Sequence, residues 1–357
     1  TACIICAVVS LATGSSWGTI ATVGIALLGI GKAMDFSEGL IAGAVISGAY
    51  FGDKMSPLSD TTNLAPAVSG TDLITHIRYM TITTVPSILI TLVAFFLIGL
   101  FHSPTVNAAN ISEVNESLHL IFNINPILFL VPIAVIAMIA LRIPAVPAIA
   151  GGSVLGILFA FVFQFDLIAQ LTSESAISPY ALVMQTLGTN LTIQTDNTLL
   201  ADLLSTGGMK GMLDTIWLII CAMVFGGVME QSGCLSTITL SMMRLVKGRT
   251  SLIGTTAASS IIMNFTASDQ YLAIVVPGKM FQKAYEDKGL HPANLSRTLE
   301  DAGTVTSVLI PWNTCGATQA GVLGVATAVY WPFCFFCLIS PAMTMLVAAV
   351  GYKIKRV

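Results

Sequence analysis

Phe51-Gly-Asp-Lys-Met-Ser-Pro-Leu-Ser-Asp-Thr-Thr-Asn-Leu-Ala-Pro66 places two acids, a lysine, four hydroxyls, an amide and two prolines in one run between apolar segments. Upstream, Phe36 to Tyr50 is apolar and rich in small residues. A water-exposed loop here would leave that segment short of the roughly 20 residues needed to cross hydrocarbon. Joining the two sides supplies the length and turns the polar run into a break in a helix at membrane depth. Irregular backbone survives there only where protein buries it or a cavity is lined by it, and ionisable residues at that depth are functional candidates. Asp53, Lys54 and Asp60 are therefore the centre from which the rest of the chain is read.

The composition agrees with a membrane setting. Of 357 residues, 55% are hydrophobic and 9% charged, against about a quarter charged in soluble domains, and the mean hydropathy is +0.86. The formal net charge of −3 gives no footprint for nucleic acid. Thr1 opens inside an apolar run with no Met, basic segment or cleavage site, so no signal peptide is read and a fragment lacking an amino-terminal part is expected. The seven cysteines lie mostly in apolar runs without a metal-ligand pattern, and Cys334-Phe-Phe-Cys337 reads as packing.

Taken in order, the apolar runs give about ten membrane elements. An all-α polytopic membrane protein is expected. Residues 1–101 hold a hairpin over 1–30 interrupted at Ala12-Thr-Gly-Ser-Ser-Trp17, a broken helix over 37–70 and a helix over 81–101. Residues 102–212 hold connecting helices 125–141 and 145–165 and a polar external segment, with an amphipathic helix over 181–204. Residues 213–357 hold a span at 213–230, a short amphipathic piece at 234–247, a hairpin over 250–283, a broken helix over 297–327 and a final helix over 328–351.

Lysine and arginine collect on the cytoplasmic side of short loops. Arg244, Lys247 and Arg249 precede the segment 250–283, and Lys279, Lys283 and Lys288 follow its tip. A single crossing would put one basic flank outside, so a re-entrant hairpin tipped at Thr266-Ala-Ser-Asp269 is expected. Arg142, His76, Arg78 and the C-terminus then lie inside, with the acidic loops 102–123 and 166–212 outside. The first hairpin, 1–30, enters from the opposite face.

Opposite entry implies an inverted repeat. An offset of 253 pairs Thr13 with Thr266, Ser15 with Ser268, Ser16 with Asp269, Asp60 with Asn313 and Thr61 with Thr314. Each half then has one re-entrant hairpin and one broken helix, the organisation of secondary transporters whose sites lie near the bilayer midplane.

A sodium ion takes oxygen ligands: freed carbonyls, hydroxyls, amide oxygens and a carboxylate. Thr13, Ser15, Ser16, Ser59, Asp60, Thr61 and Asn63 supply these in the first half, and Thr266, Ser268, Asp269, Asn313 and Thr314 in the second. Asp53, Asp60, Asp269 and Lys54 are the candidates for coupling ion and proton, because a bound cation favours the ionised carboxylate and its departure the protonated one. Lys54 pairs with an acid or meets an organic carboxylate. No cofactor is expected beyond the transported Na+ and H+, and no enzyme: a hydrolase would need Ser15 or Ser268 paired with Lys54 or Asp269. Glu300 and Asp301 read as the acidic N-terminus of the second broken helix, Glu230 as interfacial, and His76, His102, His119 and His291 as loop or interface residues. The sequons at Asn110 and Asn115 read as incidental.

Gly52-Asp-Lys-Met-Ser-Pro-Leu-Ser-Asp-Thr-Thr-Asn-Leu-Ala-Pro66, with Gly70-Thr-Asp-Leu-Ile-Thr-His-Ile-Arg78, closely resembles the signature of NhaC-type sodium/proton antiporters. Ala12–Trp17, Phe225-Gly-Gly-Val-Met-Glu230, Thr266–Gln270 and Pro311-Trp-Asn-Thr-Cys315 resemble further blocks of that family. The resemblance implies a multi-pass protein of a bacterial or archaeal plasma membrane, a homodimer, and Na+ and H+ as cargo. It also leaves open an exchanger of the same fold that couples these ions to lactate, malate or an amino acid.

Overall fold

The computed structural model describes residues 1–101, 118–141, 143, 145–189 and 208–356. Arg142, His102, both sequons and the part of the expected amphipathic helix from 190 onward, with Asp196 and Asp202, lie outside the described residues. Apart from a bridge between Leu290 and Arg356, every regular element among the described residues is helical.

Local chemistry sets the boundaries. Helix α1 (Ala2–Thr13) stops at Gly14, whose φ of 69° suits a residue without a Cβ. Ser15 then accepts from the Gly18 N–H at 3.0 Å and starts α2 (Ser16–Ala33). Helix α3 (Glu38–Met55) ends before Pro57, which has no N–H to continue it. Ser59 caps α4 (Asp60–Ser69), Gly70 closes it, and Asp72 opens α5 (Leu73–Phe101) by accepting from Thr75 N–H at 2.8 Å. There follow α6 (Leu130–Ala140), α7 (Ala145–Phe163), α8 (Phe165–Ser175), α9 (Pro179–Gly188), α10 (Leu213–Gln231) and α11 (Cys234–Met243).

The chain continues with α12 (Arg249–Thr266), a left-handed Ser268 with φ 59°, and Asp269 capping α13 (Gln270–Asp287). His291 caps α14 (Pro292–Leu299), which widens into a π-helical turn at Glu300–Thr304. An extended Ile310 leads to Asn313, which caps α15 (Thr314–Leu323). Helices α16 (Thr327–Tyr330) and α17 (Phe335–Val350) end the chain.

Four interruptions thus fall at 14–15, 56–59, 267–269 and 310–313, where polar residues cut the apolar runs. Among the described residues three helices, Ser16–Ala33, Leu73–Phe101 and Lys210–Gln231, are long and apolar enough to cross a membrane, or up to five if each of two bent pairs is one span. The final helix expected over 328–351 is one of those pairs, Thr327–Phe333 with Phe335–Val350, bent by 55°. The other bends by 91° between α7 and α8. The second broken helix begins at Pro292 and not at 297. Glu300 and Asp301 are therefore two turns inside it, at about 12 Å along the axis, and not at its dipole terminus.

The chain divides into two units, Thr1–Leu28 with Glu38–Ser103 and Trp217–Val357, and Gly29–Ser37 with Pro104–Ile216. All four interruptions lie in the first. Its α5 turns Leu89, Val93, Phe96 and Leu100 outward, the arrangement of a face solvated by lipid. Inside, α1 runs along α3. Gly48 lies against the carbonyl of Cys3, and Gly52 against Ala7 and Leu11. A Cβ at either glycine would collide with main chain that cannot yield. Gly48→Val is expected to cost about 1–3 kcal/mol of overpacking, read as a lower melting temperature in detergent, whereas Gly99→Val, with open space around it, should leave melting unchanged.

Candidate functional site

At the first break the turn between α1 and α2 touches the turn between α3 and α4. Gly14 packs on Leu58 and Ser59. Ser16 Oγ donates to Asp53 Oδ2 at 2.5 Å, and Ser59 lies beside the same carboxylate. Thr62 Oγ1 donates to the Lys54 carbonyl at 2.9 Å, tying α4 back to α3. Asn63 Nδ2 donates to the carbonyls of Ser59 (2.7 Å) and Pro57 (2.9 Å), so its amide braces the break. Ser59 Oγ and Thr61 Oγ1 are 3.3 Å apart, and Thr13 Oγ1 is buried without a partner.

The second break has the same kind of join. The Thr314 N–H donates to the Ser268 carbonyl at 2.9 Å. Asn313 caps Cys315 N–H at 3.0 Å and its Nδ2 reaches Asn264 at 3.2 Å. Asp269 accepts from the N–H groups of Tyr271 and Leu272 at 2.8 and 3.1 Å, and Thr266 Oγ1 donates back to Ile262. Here the carboxylate is a helix cap and the threonine satisfies its own turn.

The two joins also meet one another. Helix α13 packs along α4, and α15 against the turn at Ile20–Gly24 in α2. Asp53, Asp60 and Asp269 all lie near Tyr271. Asp60 is exposed and Asp53 and Asp269 are partly so. Among the described residues no three acidic, imidazole or thiol side chains converge as a metal cage. An alkali ion held here would take most of its oxygens from hydroxyls and main chain.

Behind this rim lies a charge cluster that the sequence did not assemble. Among the described residues Lys54, Arg297, Glu300 and Asp301 are the charged side chains with no exposure at all. Lys54 Nζ forms an ion pair with Asp301 Oδ1 and also donates to Ser340 Oγ at 3.1 Å. Asp301 accepts in addition from Thr83 (2.7 Å), Ser340 (3.0 Å) and Thr344. One carboxylate therefore joins α3, α5 and α17 to the π-helical turn. Glu300, next to it, has both oxygens buried without a hydrogen-bond partner, although Thr304 lies beside it.

His76, expected in a loop or at an interface, is instead fully buried on α5, its Nδ1 2.8 Å from Ser296 Oγ. The run Ser296-Arg-Thr-Leu-Glu-Asp301 carried the available signal for this cluster: three charges within five residues of a helix otherwise without them.

The profile of the Na+/H+ antiporter family matches residues 48–352. A Na(+)/H(+) antiporter NhaC from Alkalihalophilus pseudofirmus is 38% identical over 99% of this chain and 74% of its own length. A malate-2H(+)/Na(+)-lactate antiporter of Bacillus subtilis is 33% identical over 98% of this chain and 72% of its own. An arginine/ornithine antiporter ArcD of Halobacterium salinarum is also 33% identical, over 97% and 70%. An all-helical chain with broken spans, matched along nearly its whole length by such proteins, is a multi-span transporter and not an enzyme, and it belongs to the Na+/H+ antiporter (NhaC) family.

Proposed function

We propose that the chain is a secondary antiporter that exchanges cytoplasmic Na+ for external H+ across the plasma membrane by alternating access. Asp53 carries this assignment: a partly exposed carboxylate in the last turn of α3, held by Ser16 in the first turn of α2, with Ser59 beside it. Sodium arriving at such a carboxylate favours its ionised form and displaces a proton, and sodium leaving lets the proton return. One group that cannot hold both cargoes at once is the minimum for obligatory exchange. Ser16, Ser59 and Thr61 would share the first cradle with Asp53 and Asp60. Ser268, Asp269, Asn313 and Thr314 would form the second, and Lys54, paired with Asp301, would brace the first break from behind.

We further propose that residues 1–101 and 213–357 are inverted copies joined by 102–212. Ser15 and Asp269 cap α2 and α13, and Ser59 and Asn313 cap α4 and α15, each pair 254 residues apart (269 − 15 and 313 − 59). Gly14 and Ser268, both left-handed, stand at the same interval. So do two hydrogen bonds, Ser10 Oγ to the Ala49 carbonyl and Asn264 Nδ2 to the Gly303 carbonyl, each 2.6 Å. These support the repeat in a register one residue longer than the 253 suggested by matching hydroxyls. The difference is physical: a repeat keeps its caps and its φ angles, while the side chains that happen to be Ser or Thr drift. Basic Lys353, Lys355 and Arg356 favour a cytoplasmic C-terminus, and a homodimer remains part of the family expectation.

The relatives named for malate with lactate, and for arginine with ornithine, support a second reading in which an organic acid or amino acid travels with the ions. Everted vesicles separate the two. Isotopic sodium uptake driven by a pH difference alone, with no organic acid on either side, is expected. Strict dependence on malate, lactate or an amino acid would replace the first reading with the second.

A further inference from the structure

Glu300 is fully buried, and both of its carboxyl oxygens lack a hydrogen-bond partner. An ionised carboxylate left there would have neither water nor a donor to solvate it, and a group so placed takes up a proton instead. The neighbouring cations do not change this. Lys54 is committed to Asp301 and Ser340, so its single charge offsets one of the two consecutive acids and not both. Arg297 lies one turn earlier on the same helix, but its guanidinium is stacked on Tyr79 and none of its nitrogens reaches Glu300.

The surroundings limit what this carboxyl can hold. Thr304 is the hydroxyl beside it, and an alkali ion would need several further oxygens. A proton needs one oxygen and no cavity. The charges that act on Glu300 are those of Lys54, Asp53 and Asp301. Of the elements packed on the π-helical turn, α12 has no acid, histidine or basic side chain after Arg249, and α17 carries only the thiol of Cys337. Helix α4 brings the exposed Asp60. Helix α13 brings Lys279, Lys283, Glu286 and Asp287, all exposed, and the phenols of Tyr271 and Tyr285, which are uncharged at neutral pH. From α5, His76 lies within electrostatic reach of Lys54 and Asp301.

Asp53 gives the coupling its direction. It is partly exposed at the first break, and like charges oppose one another's ionisation. With Asp53 ionised and empty, its charge favours the protonated form of Glu300. A sodium ion at Asp53 cancels that charge and loosens the proton, and sodium leaving restores the hold. We propose that Glu300 is a second proton-binding residue of the exchange cycle, behind Asp53 and emptied as sodium binds there, an assignment that rests on the antiport reading and adds a residue the first break does not contain.

The test is infrared difference spectroscopy on the purified whole protein in lipid, perfused alternately with sodium and with choline at constant pH and ionic strength. Sodium is expected to diminish the carbonyl-stretching band of neutral carboxylic acid, a band that shifts in D2O, and Glu300→Gln is expected to remove part of that loss. In everted vesicles the half-saturating sodium concentration should rise on acidification less steeply in Glu300→Gln than in the wild type, by up to about tenfold per pH unit, because one displaced proton is missing. Glu300→Asp, which keeps an acid, should restore the slope. An unchanged slope in Glu300→Gln, or the same sodium-induced loss with and without Glu300, would overturn the proposal. So would a wild-type spectrum with no such loss, which decides the matter even if no variant folds. A wild type that moves no protons in response to sodium would overturn the antiport reading and this assignment together, whereas exchange that proceeds with Glu300 silent overturns this assignment alone.

Discussion

Asp53→Asn is expected to abolish sodium-dependent proton movement while the protein still inserts and purifies as a folded species. The substitution keeps the size of the side chain and a carbonyl oxygen for Ser16, whose hydroxyl now donates to the carboxylate at 2.5 Å. It removes only the charge that lets proton and sodium exclude each other. Ser16→Ala is the graded companion. It leaves the carboxylate in place without the bond that orients it and removes one oxygen of the proposed cradle, and loss of an orienting partner alone typically costs about 10–100-fold in ion affinity. The half-saturating sodium concentration should rise accordingly, with the maximal rate less affected. Asp60, exposed in the first turn of α4, should tolerate Asn better than Asp53 does. Dye-quenching assays in everted vesicles, run against sodium concentration, resolve all three. Exchange at the wild-type rate in Asp53→Asn would remove that residue from the mechanism.

Asp301→Asn should have the largest effect on stability. It leaves Lys54, fully buried and pinned beneath the first break, with hydroxyl and amide partners but no counter-charge. Breaking one side of a buried pair costs about 3–5 kcal/mol, whereas replacing both partners with apolar groups of similar volume is often neutral. The double variant Lys54→Met/Asp301→Leu should therefore recover much of the stability lost by Asp301→Asn alone, a non-additivity expected of residues in direct contact. Thermal unfolding in detergent measures it. If Asp301→Asn unfolds within about 1 kcal/mol of the wild type, near the uncertainty of such comparisons, the pair is not what holds α3 to the second half. Activity of the double variant answers a separate question. Recovered folding without exchange would show that Lys54 or Asp301 serves transport as well as structure.

Much of the fold was legible because the bilayer leaves a chain few choices. The polar run at Gly52–Pro66 had to interrupt a span, and α3 does end at Met55 with α4 starting at Asp60. The interruptions at Gly14, Ser268 and Asn313 were found in the same way, from polar residues inside apolar runs. The proposed repeat was sought through side-chain identity at an offset of 253, whereas the caps proposed to correspond stand 254 residues apart. The boundary of the second broken helix was missed because Pro292, a good first-turn residue, lies in a stretch whose hydropathy reads as loop.

Sequence alone determined that this chain lives in a membrane, that its helices break at four places, and that the breaks carry oxygen and carboxylate, because hydropathy and helix capping are local properties of a few adjacent residues. Only the tertiary structure decided that Lys54 meets Asp301, that Ser16 holds Asp53, and that Arg297 and Glu300 are fully buried. A charge buried at 54 finds its counter-charge at 301, a separation of 247 residues, and nothing in the residues flanking either one says which of the chain's other charges will be brought alongside.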